Sequence, residues 1–342
     1  MEITVAVPFY NAEKTLLACL GALSEQDQLP GEIILVDNNS TDRSAELVRD
    51  FMVQNPDLNI ILLQEKMQGP SAARNRAIRE ASCDVIAFTD SDCIPDRHWL
   101  KRLRDGYSSD EIGAVAGRVV GFQPKSAAEK FHSLFTLTGP SEGEIYKEFT
   151  LVRGGFPTAN FSARKDVLES VKGFDESLET SEDYDLCARL YRAGYYIYYA
   201  PEAVVFHQHR NTLAATWRQG FGFGKNHGVL LKRHFERMVI LDLPRFHYQS
   251  EKWPLRMWLD LQGADKRTIG LVLVAMFWWP LWFLMIPYSL YLFHYVKAKL
   301  KKCDLHAGFF DRWQMVALLL AKSSAITAGR IAGSVKERVL CF

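Results

Sequence analysis

The stretch DVIAFTDSDC, Asp84–Cys93, joins a short apolar run to an acidic end. The run from Val85 to Thr89 is bounded by polar residues and is short, which favours a buried strand of a parallel sheet over a helix. Asp90 and Asp92 follow it directly, and ligands of open α/β sheets bind beyond the carboxyl ends of the strands. The stretch therefore predicts either a cation and phosphate site or an ordinary solvated turn, since Asp and Ser are common turn residues.

Strands and helices alternate around this stretch. The predicted strands are Ile3 to Val7, stopped by Pro8, then Glu32 to Val36 and Asn59 to Leu63. Helices of about ten to fifteen residues separate them, which implies a doubly wound α/β sheet with right-handed crossovers. After Gly117 the pattern loosens. The later predicted elements are a helix at 126–138, a loop at 139–148, a helix from Ser181 to Gly194 and strands at 195–199 and 203–206.

Composition sets limits on the function. The 342 residues contain 41 Lys and Arg against 40 Asp and Glu, so the net charge of +1 gives no reason to expect a nucleic-acid partner. The six cysteines are scattered without a CxxC pair, which is typical of reduced thiols in a cytosolic compartment. The N-terminus lacks a basic region and a cleavage site, so we expect no export by a signal peptide.

An apolar run near the C-terminus breaks the soluble pattern. No Asp, Glu, Lys or Arg occurs from Ile269 to Val296, and this length allows a spanning helix. Basic residues flank the run on both sides, which favours a hairpin or re-entrant segment over a single crossing. A second segment, Trp313 to Val335, is interrupted by Lys322 and Arg330 and is more typical of an interfacial helix. A two-span arrangement stays open.

Several motifs then occur in one order and resemble glycosyltransferase family 2, over about Ile3 to Lys225. They are VAVPFYNAEKTL at 5–16, VDNNSTD at 36–42, GPSAARNRA at 69–77, DSD at 90–92, ANFSARKDVLESVKGFDESL at 159–178 and SEDYDLCARL at 181–190. The resemblance implies a GT-A fold, a doubly wound, mixed and mostly parallel sheet, here followed by a hydrophobic helical membrane appendage. The expected domains are a catalytic domain at 1–230, divided at 117 into nucleotide-sugar and acceptor halves, a polar connecting segment at 231–268 and a membrane-associated region at 269–342.

The resemblance also implies a donor site and a metal site. Asp37, with Ser40, is expected to accept from the base, commonly uracil, while Pro8 and Tyr10 flank it. Arg74 is expected at the nucleotide or its diphosphate, where a planar cation suits phosphate oxygens.

A divalent cation, Mn²⁺ or Mg²⁺, is expected on the DSD motif. Asp92 and His207 would hold it, and Asp90, with Ser91, would lie at the ribose or at a metal-bound water. Imidazole binds Mn²⁺ more readily than Mg²⁺, so the histidine favours manganese.

The acidic SEDYD motif is expected to supply the base that takes the acceptor proton. By resemblance this is Asp183, with Glu182 or Asp185 as alternatives, because three carboxylates in four helical positions cannot all face one way. Trp217 and Arg218, with Glu182, are expected at the acceptor or in a lid. An ordinary aromatic cluster explains the glycine-rich segment at Trp217 to Gly228 equally well. The QxxRW motif of processive synthases is absent from that region.

These features predict an inverting enzyme that moves one sugar from a nucleotide-diphosphate sugar, with UDP expected, to a lipid-linked or surface-glycan hydroxyl. The appendage places it at the cytosolic membrane face, in contact with lipid. The alternative is a catalytically silent sugar-nucleotide-binding subunit of a membrane synthase complex. A nucleotidyltransferase is less well supported, because no glycine-rich phosphate loop follows the first strand.

Overall fold

The structure is a computed structural model, and it describes residues 1–136, 139–151, 153–178, 180–208, 212–243, 246–250, 252–277 and 279–342. The strands are β1 Ile3–Phe9, β2 Glu32–Asp37, β3 Ile60–Gln64, β4 Val85–Phe88, β5 Cys93–Pro95, β6 Ile112–Gly121, β7 Glu144–Tyr146, β8 Phe161–Arg164, β9 Tyr196–His207, β10 Val239–Leu243, β11 Phe246–Gln249, β12 Met257–Asp260 and β13 Leu340–Cys341. The helices are α1 Leu16–Ser24, α2 Ser44–Gln54, α3 Pro70–Glu80, α4 Trp99–Asp105, α5 Ala127–Phe135, α6 Lys165–Ser170, α7 Glu182–Arg192, α8 Leu213–His234, α9 Ala264–Phe277, α10 Met285–Lys302 and α11 Phe309–Glu337. Short 3₁₀ turns occur at Thr158–Asn160 and Trp279–Leu284.

The chain divides into two compact units. The first unit comprises Met1–Phe122 and Leu137–Gln208, and the second comprises Gln123–Thr136 and His209–Phe342. The predicted boundary at residue 230 falls inside α8, and the predicted connecting segment contains β10, β11 and β12. The division into functional domains stays a prediction.

The first unit is built on a mixed sheet with the strand order β3-β2-β1-β4-β8-β6-β9-β5. β7 also pairs with β9, along the first half of that strand, while β5 pairs with its last residues. The strands β3, β2, β1 and β4 are parallel to one another, as the alternation of strands and helices predicts, whereas β4 pairs antiparallel with β8 on its other side. The chain crosses from one side of β1 to the other between β3 and β4. This places a topological switch point at the carboxyl ends of β1 and β4.

Both faces of this sheet are covered because its strands are apolar on both sides. Along β1, Val5 and Val7 pack under α1, α2 and α4, while Ala6 faces α3, α6 and α7. The same alternation occurs in β2 and β4, every residue of which is buried. Alanines on α3, including Ala73 and Ala77, let that helix approach the sheet closely.

The structure corrects several predicted elements. β1 continues through Pro8 to Phe9, because the parallel pairing with Val36 and Asp37 extends that far. The two strands predicted at 195–199 and 203–206 are one strand, β9. β6 was not predicted, and β7 lies within the predicted loop. The helix predicted at 126–138 is α5, with Leu137 and Thr138 outside the described residues.

The second unit contains α5, α8, α9, α10 and α11 and a small sheet in the order β11-β10-β12-β13. The glycine-rich segment predicted as a lid or aromatic cluster forms the middle of α8. Gly220, Gly224 and Gly228 recur every four residues and line the side of α8 that faces α11. A Cβ atom at Gly224 would lie 2.0 Å from the Ile326 carbonyl oxygen, so the two helix backbones touch.

The predicted apolar run does not form one long helix. It is divided among α9, the 3₁₀ turn and α10, with Trp278 outside the described residues. Of the helices that the structure describes, α11 is the one long and apolar enough to cross a membrane by length and composition. In its most apolar window 44 % is buried inside the protein. Among the cysteines, Cys303 after α10 is exposed and the other five are buried and reduced.

Candidate active site

The carboxyl ends of β1, β2 and β4 bring three predicted motifs to one edge of the first unit. Phe9 is paired with Asp37 across β1 and β2, and β4 delivers Asp90 to Asp92 on the other side of β1. This edge is where ligands bind in open α/β sheets. The fold therefore places the predicted donor residues and the DSD motif at one edge of the sheet.

The loops after β1 and β2 are joined by hydrogen bonds. Asp37 is buried and its Oδ1 accepts from the Ser40 backbone N–H at 2.9 Å. Asn11, in the left-handed region at φ 49°, donates its N–H to Ser40 Oγ and accepts from the Thr41 N–H at 2.8 Å. Tyr10 is 53 % exposed, so its ring is available to a ligand.

Asn38 fixes the position of α3. Its side-chain amide donates to the Glu65 and Met67 carbonyls, and its Oδ1 accepts from the Gly69 N–H at 2.7 Å. These bonds hold the loop that begins α3 and so direct the first turns of the helix. Sequence reasoning missed Asn38, which stands beside Asp37 in the VDNNSTD motif.

Arg74, on α3, bridges two carboxylates from distant parts of the chain. Its Nη1 donates to Glu182 Oε1 at 2.7 Å and its Nη2 donates to Asp90 Oδ1 at 3.0 Å. The residue is 4 % exposed. Burial opposes its charge, but the carboxylates of Asp90 and Glu182 outweigh burial and raise the pKa of the guanidinium. In this arrangement Arg74 links the DSD motif to the SEDYD motif.

The three carboxylates of the SEDYD motif occupy different environments in the first turn of α7. Glu182 pairs with Arg74, and the buried Asp185 pairs with Arg189 at 2.8 Å. Asp183 accepts the Tyr184 N–H at 2.9 Å, and no basic side chain in the described part of the chain forms an ion pair with it. Burial, followed by the Glu182 carboxylate, raises the pKa of Asp183 to about 7, against the opposing effect of Arg74.

A cluster of possible metal donors lies at the end of β4. Antiparallel pairing of β5 with β9 sets Cys93 opposite His207, and the Gln208 N–H donates to the Asp92 carbonyl at 2.9 Å. Donor atoms of Asp90, Asp92, Cys93 and His207 all lie within 4.8 Å of one another. His207 Nε2 is 3.5 Å from Asp92 Oδ1.

The donor set fits a cation such as Mn²⁺. Carboxylate oxygens with one imidazole are ligands that Mn²⁺ accepts. Cys93 does not fit a hard cation, because burial raises the pKa of its thiol well above the ordinary value and keeps it neutral. The fit therefore rests on Asp90, Asp92 and His207.

Two asparagines that sequence reasoning did not single out, the buried Asn160 and the half-buried Asn75, support these elements. Asn160 is fully buried, accepts from the Trp99 indole N–H and donates to the Arg118 and Ala203 carbonyls. Asn75, next to Arg74, exchanges two 2.8 Å hydrogen bonds with the backbone of Phe174. The signal was present, since both asparagines lie inside motifs that carry the family resemblance.

Trp217 and Arg218 belong to the second unit. They lie in the first turns of α8, and Trp217 is 42 % exposed. A role for either residue at the acceptor or as part of a lid stays a prediction.

Comparison with known proteins gives a consistent result. Residues 4–172 match the family model described as Glycosyl transferase family 2. The chain is 31 % identical to glycosyltransferase AglE of Haloferax volcanii over 61 % of this chain and 67 % of AglE. It spans about half the length of other curated relatives that are also 31 % identical.

Solved structures share the fold. A mannosyltransferase from Pyrobaculum calidifontis, in complex with GDP-Man and Mn²⁺, has a TM-score of 0.59 at 17 % identity, with 98 % of this chain and 88 % of that chain covered. S. aureus TarS 1–349, in complex with UDP-GlcNAc, has a TM-score of 0.51 at 18 % identity, with 99 % and 93 % covered. The predicted GT-A architecture is confirmed.

Proposed function

Because the chain belongs to glycosyltransferase family 2, we propose that it transfers one sugar from a nucleotide-diphosphate sugar to an acceptor hydroxyl with inversion at the anomeric carbon. The Arg74 bridge carries the proposal. It joins Asp90 of the metal-donor cluster to Glu182, the neighbour of Asp183. The buried guanidinium of Arg74 thus connects the residues that would hold the donor diphosphate to the residues that would take the acceptor proton.

The donor would bind along the edge formed by β1, β2 and β4. Asp37 would accept the imide N–H of a uracil, with Pro8 and Tyr10 beside the base and Ser40 holding the carboxylate in place. A carboxylate also suits the N–H groups of guanine, so a comparison of UDP with GDP tests the base. Asp90 and Ser91 would lie near the ribose.

Asp92, His207 and Asp90 would hold a divalent cation, which when bound would neutralise charge on the departing diphosphate. Arg74 adds a fixed positive charge beside Asp90. Its two ion pairs keep the guanidinium in place, so we propose that its main role is to position these carboxylates.

Asp183 would act as the general base. Its pKa of about 7 is close to the value that favours proton transfer near neutral pH. The acceptor oxygen forms a bond to the anomeric carbon while the bond from that carbon to the diphosphate oxygen breaks, and the hydroxyl proton passes to Asp183. Glu182 and Asp185 are already engaged by Arg74 and Arg189, which favours Asp183 among the three.

The acceptor proposed is a lipid-linked or surface-glycan hydroxyl at the cytosolic face of a membrane. The apolar side chains exposed on α9 and α10 support a membrane location.

The test is sugar transfer and donor hydrolysis by the purified chain with Mn²⁺, across a panel of UDP- and GDP-sugars. Asp183→Asn is expected to lower turnover at least about 100-fold. Asp166→Asn is the matched control, because Asp166 is an exposed first-turn carboxylate that likewise accepts the next backbone N–H, at 2.8 Å. Full activity of Asp183→Asn would remove Asp183 from the mechanism. UDP binding without turnover on any donor and acceptor would favour the silent binding subunit.

A further inference from the structure

The second unit exposes large apolar side chains on both α9 and α10. Met276 is 71 % exposed, Ile286 60 %, Leu273 53 %, Val274 52 % and Leu290 47 %. We call these five residues the α9–α10 face. Soluble proteins rarely expose large apolar patches, and such patches mark contact with a protein or a membrane.

This face is additional to the core of the second unit. Further along α10, a second set of apolar side chains is buried with residues of α5 and α11: Leu292, Phe293, Val296 and Leu300. α10 therefore carries apolar side chains that the chain itself covers and others, Ile286 and Leu290, that it leaves exposed. The exposed side chains take no part in this core, so they are available to a different partner.

The most apolar long helix, α11, is already committed to the interior of this unit. Its small residues meet the α8 backbone, where a Cβ atom at Gly329 would lie 2.1 Å from the Phe221 carbonyl oxygen. Buried Lys322 donates to the Phe135 carbonyl at 2.8 Å. Buried Arg330 pairs with Asp260 at 2.8 Å. Moving this helix into the hydrocarbon of a bilayer would separate Lys322 and Arg330 from these partners, at a high cost in free energy.

We propose that the α9–α10 face docks into the surface of an anionic lipid bilayer without crossing it. α9 has 14 residues, about 21 Å, which is shorter than the roughly 30 Å hydrocarbon core. The charge-free part of α10, from Met285 to Val296, extends about 18 Å. These lengths suit insertion to a shallow depth.

The charges and aromatic rings beside the face select the lipid surface as the occupant. Lys297, Lys301 and Lys302 are exposed where α10 ends, and basic residues beside an inserted segment are attracted to anionic headgroups. Tyr291 is 51 % exposed and Tyr295 38 %, and tyrosines favour the interface between headgroups and acyl chains.

The proposal refines the membrane location given under the proposed function and does not depend on glycosyl transfer. It is tested by co-sedimentation of the full chain with vesicles of phosphatidylcholine alone or mixed with phosphatidylglycerol. We expect tighter binding to the mixed vesicles. The double variant Met276→Glu/Ile286→Glu should bind at least about ten-fold more weakly, and replacing Lys297, Lys301 and Lys302 by Gln should remove most of the preference for phosphatidylglycerol.

Val53→Glu is the control, because Val53 is 81 % exposed on α2 of the first unit, and it should bind vesicles like the unaltered chain. Equal binding by Met276→Glu/Ile286→Glu would overturn the proposal. The proposal would also be overturned if the unaltered chain bound no vesicles and instead formed a dimer in light scattering that Met276→Glu/Ile286→Glu converts to monomers. Donor hydrolysis of each variant in detergent separates the two proposals, since docking variants should keep it even if vesicle binding is lost.

Discussion

Replacing Asp183 by Asn is expected to make the protein more stable at neutral and alkaline pH while it lowers turnover at least about 100-fold. The half-buried carboxyl of Asp183 has a pKa of about 7, raised by burial and by Glu182, against about 3.9 in an unfolded chain. The folded state therefore binds more protons than the unfolded state between about pH 4 and pH 7. Stability falls as the pH rises through this window and is level above it.

The size of the effect follows from the two pKa values. A difference of about three pKa units corresponds to about 4 kcal/mol at pH 8. An Asn amide keeps the hydrogen bond from the Tyr184 N–H but still costs something to bury, so we expect a net gain of about 2 to 3 kcal/mol. For a unit of this size that is a rise in Tm of roughly 5 to 10 °C.

The assay is thermal unfolding of both proteins by circular dichroism at pH 5, 6, 7 and 8, without added metal. The increase in Tm caused by Asp183→Asn should become larger from pH 5 to pH 7 and then stay constant. Asp166→Asn should show no such growth, because its carboxylate is exposed. A Tm for Asp183→Asn that equals or falls below that of the unaltered chain at pH 8 would refute the reasoning about burial at this site.

Four further predictions concern the metal donors, the bridge, the pH profile and the helix contact. Asp92→Asn should weaken Mn²⁺ binding at least ten-fold in titration calorimetry, whereas exposed His98→Ala should leave it unchanged. Arg74→Met should lower the free energy of unfolding by about 3 kcal/mol in urea, because it leaves two carboxylates without their cation, and adding Glu182→Gln should recover part of the loss. The rate at limiting donor and acceptor should fall ten-fold per pH unit below about pH 7, where Asp183 becomes protonated; a flat profile down to pH 5 would point to another base. Gly224→Ala should cost more than about 2 kcal/mol, while Gly270→Ala, with no atom within 4 Å of its added Cβ, should be neutral or stabilising; equal effects would contradict the backbone contact between α8 and α11.

The parallel half of the sheet was predictable because its strands are continuous apolar runs. EIILV in β2 and VIAF in β4 are buried on both faces, and polar residues mark where each ends. β6 was missed because its sequence, IGAVAGRVVG, is rich in Gly and Ala and has no clear period. Its burial depends on pairing with β8 and β9, which are distant in the chain.

The candidate site shows the same limit. Asp90, Asp92 and Asp183 could be predicted, because each lies in a short acidic motif, DSD or SEDYD, that can be recognised in the local sequence. The Arg74–Glu182 ion pair joins residues 108 positions apart, and no local pattern indicates it. The spacing of the three carboxylates in SEDYD also could not show that Glu182 and Asp185 each form an ion pair with an arginine. These ion pairs distinguish them from Asp183.

The exposure of a single cysteine gives the second unit a natural attachment point for a probe. Five thiols are buried, so a maleimide dye added to the folded protein should react at Cys303 alone. This residue follows Lys302 directly, at the end of α10. A polarity-sensitive dye there would report on the environment of that helix end through its emission colour, and quenchers placed at different depths in the acyl chains would measure its distance from the bilayer centre. The unaltered sequence can therefore be studied by fluorescence without removing any other cysteine.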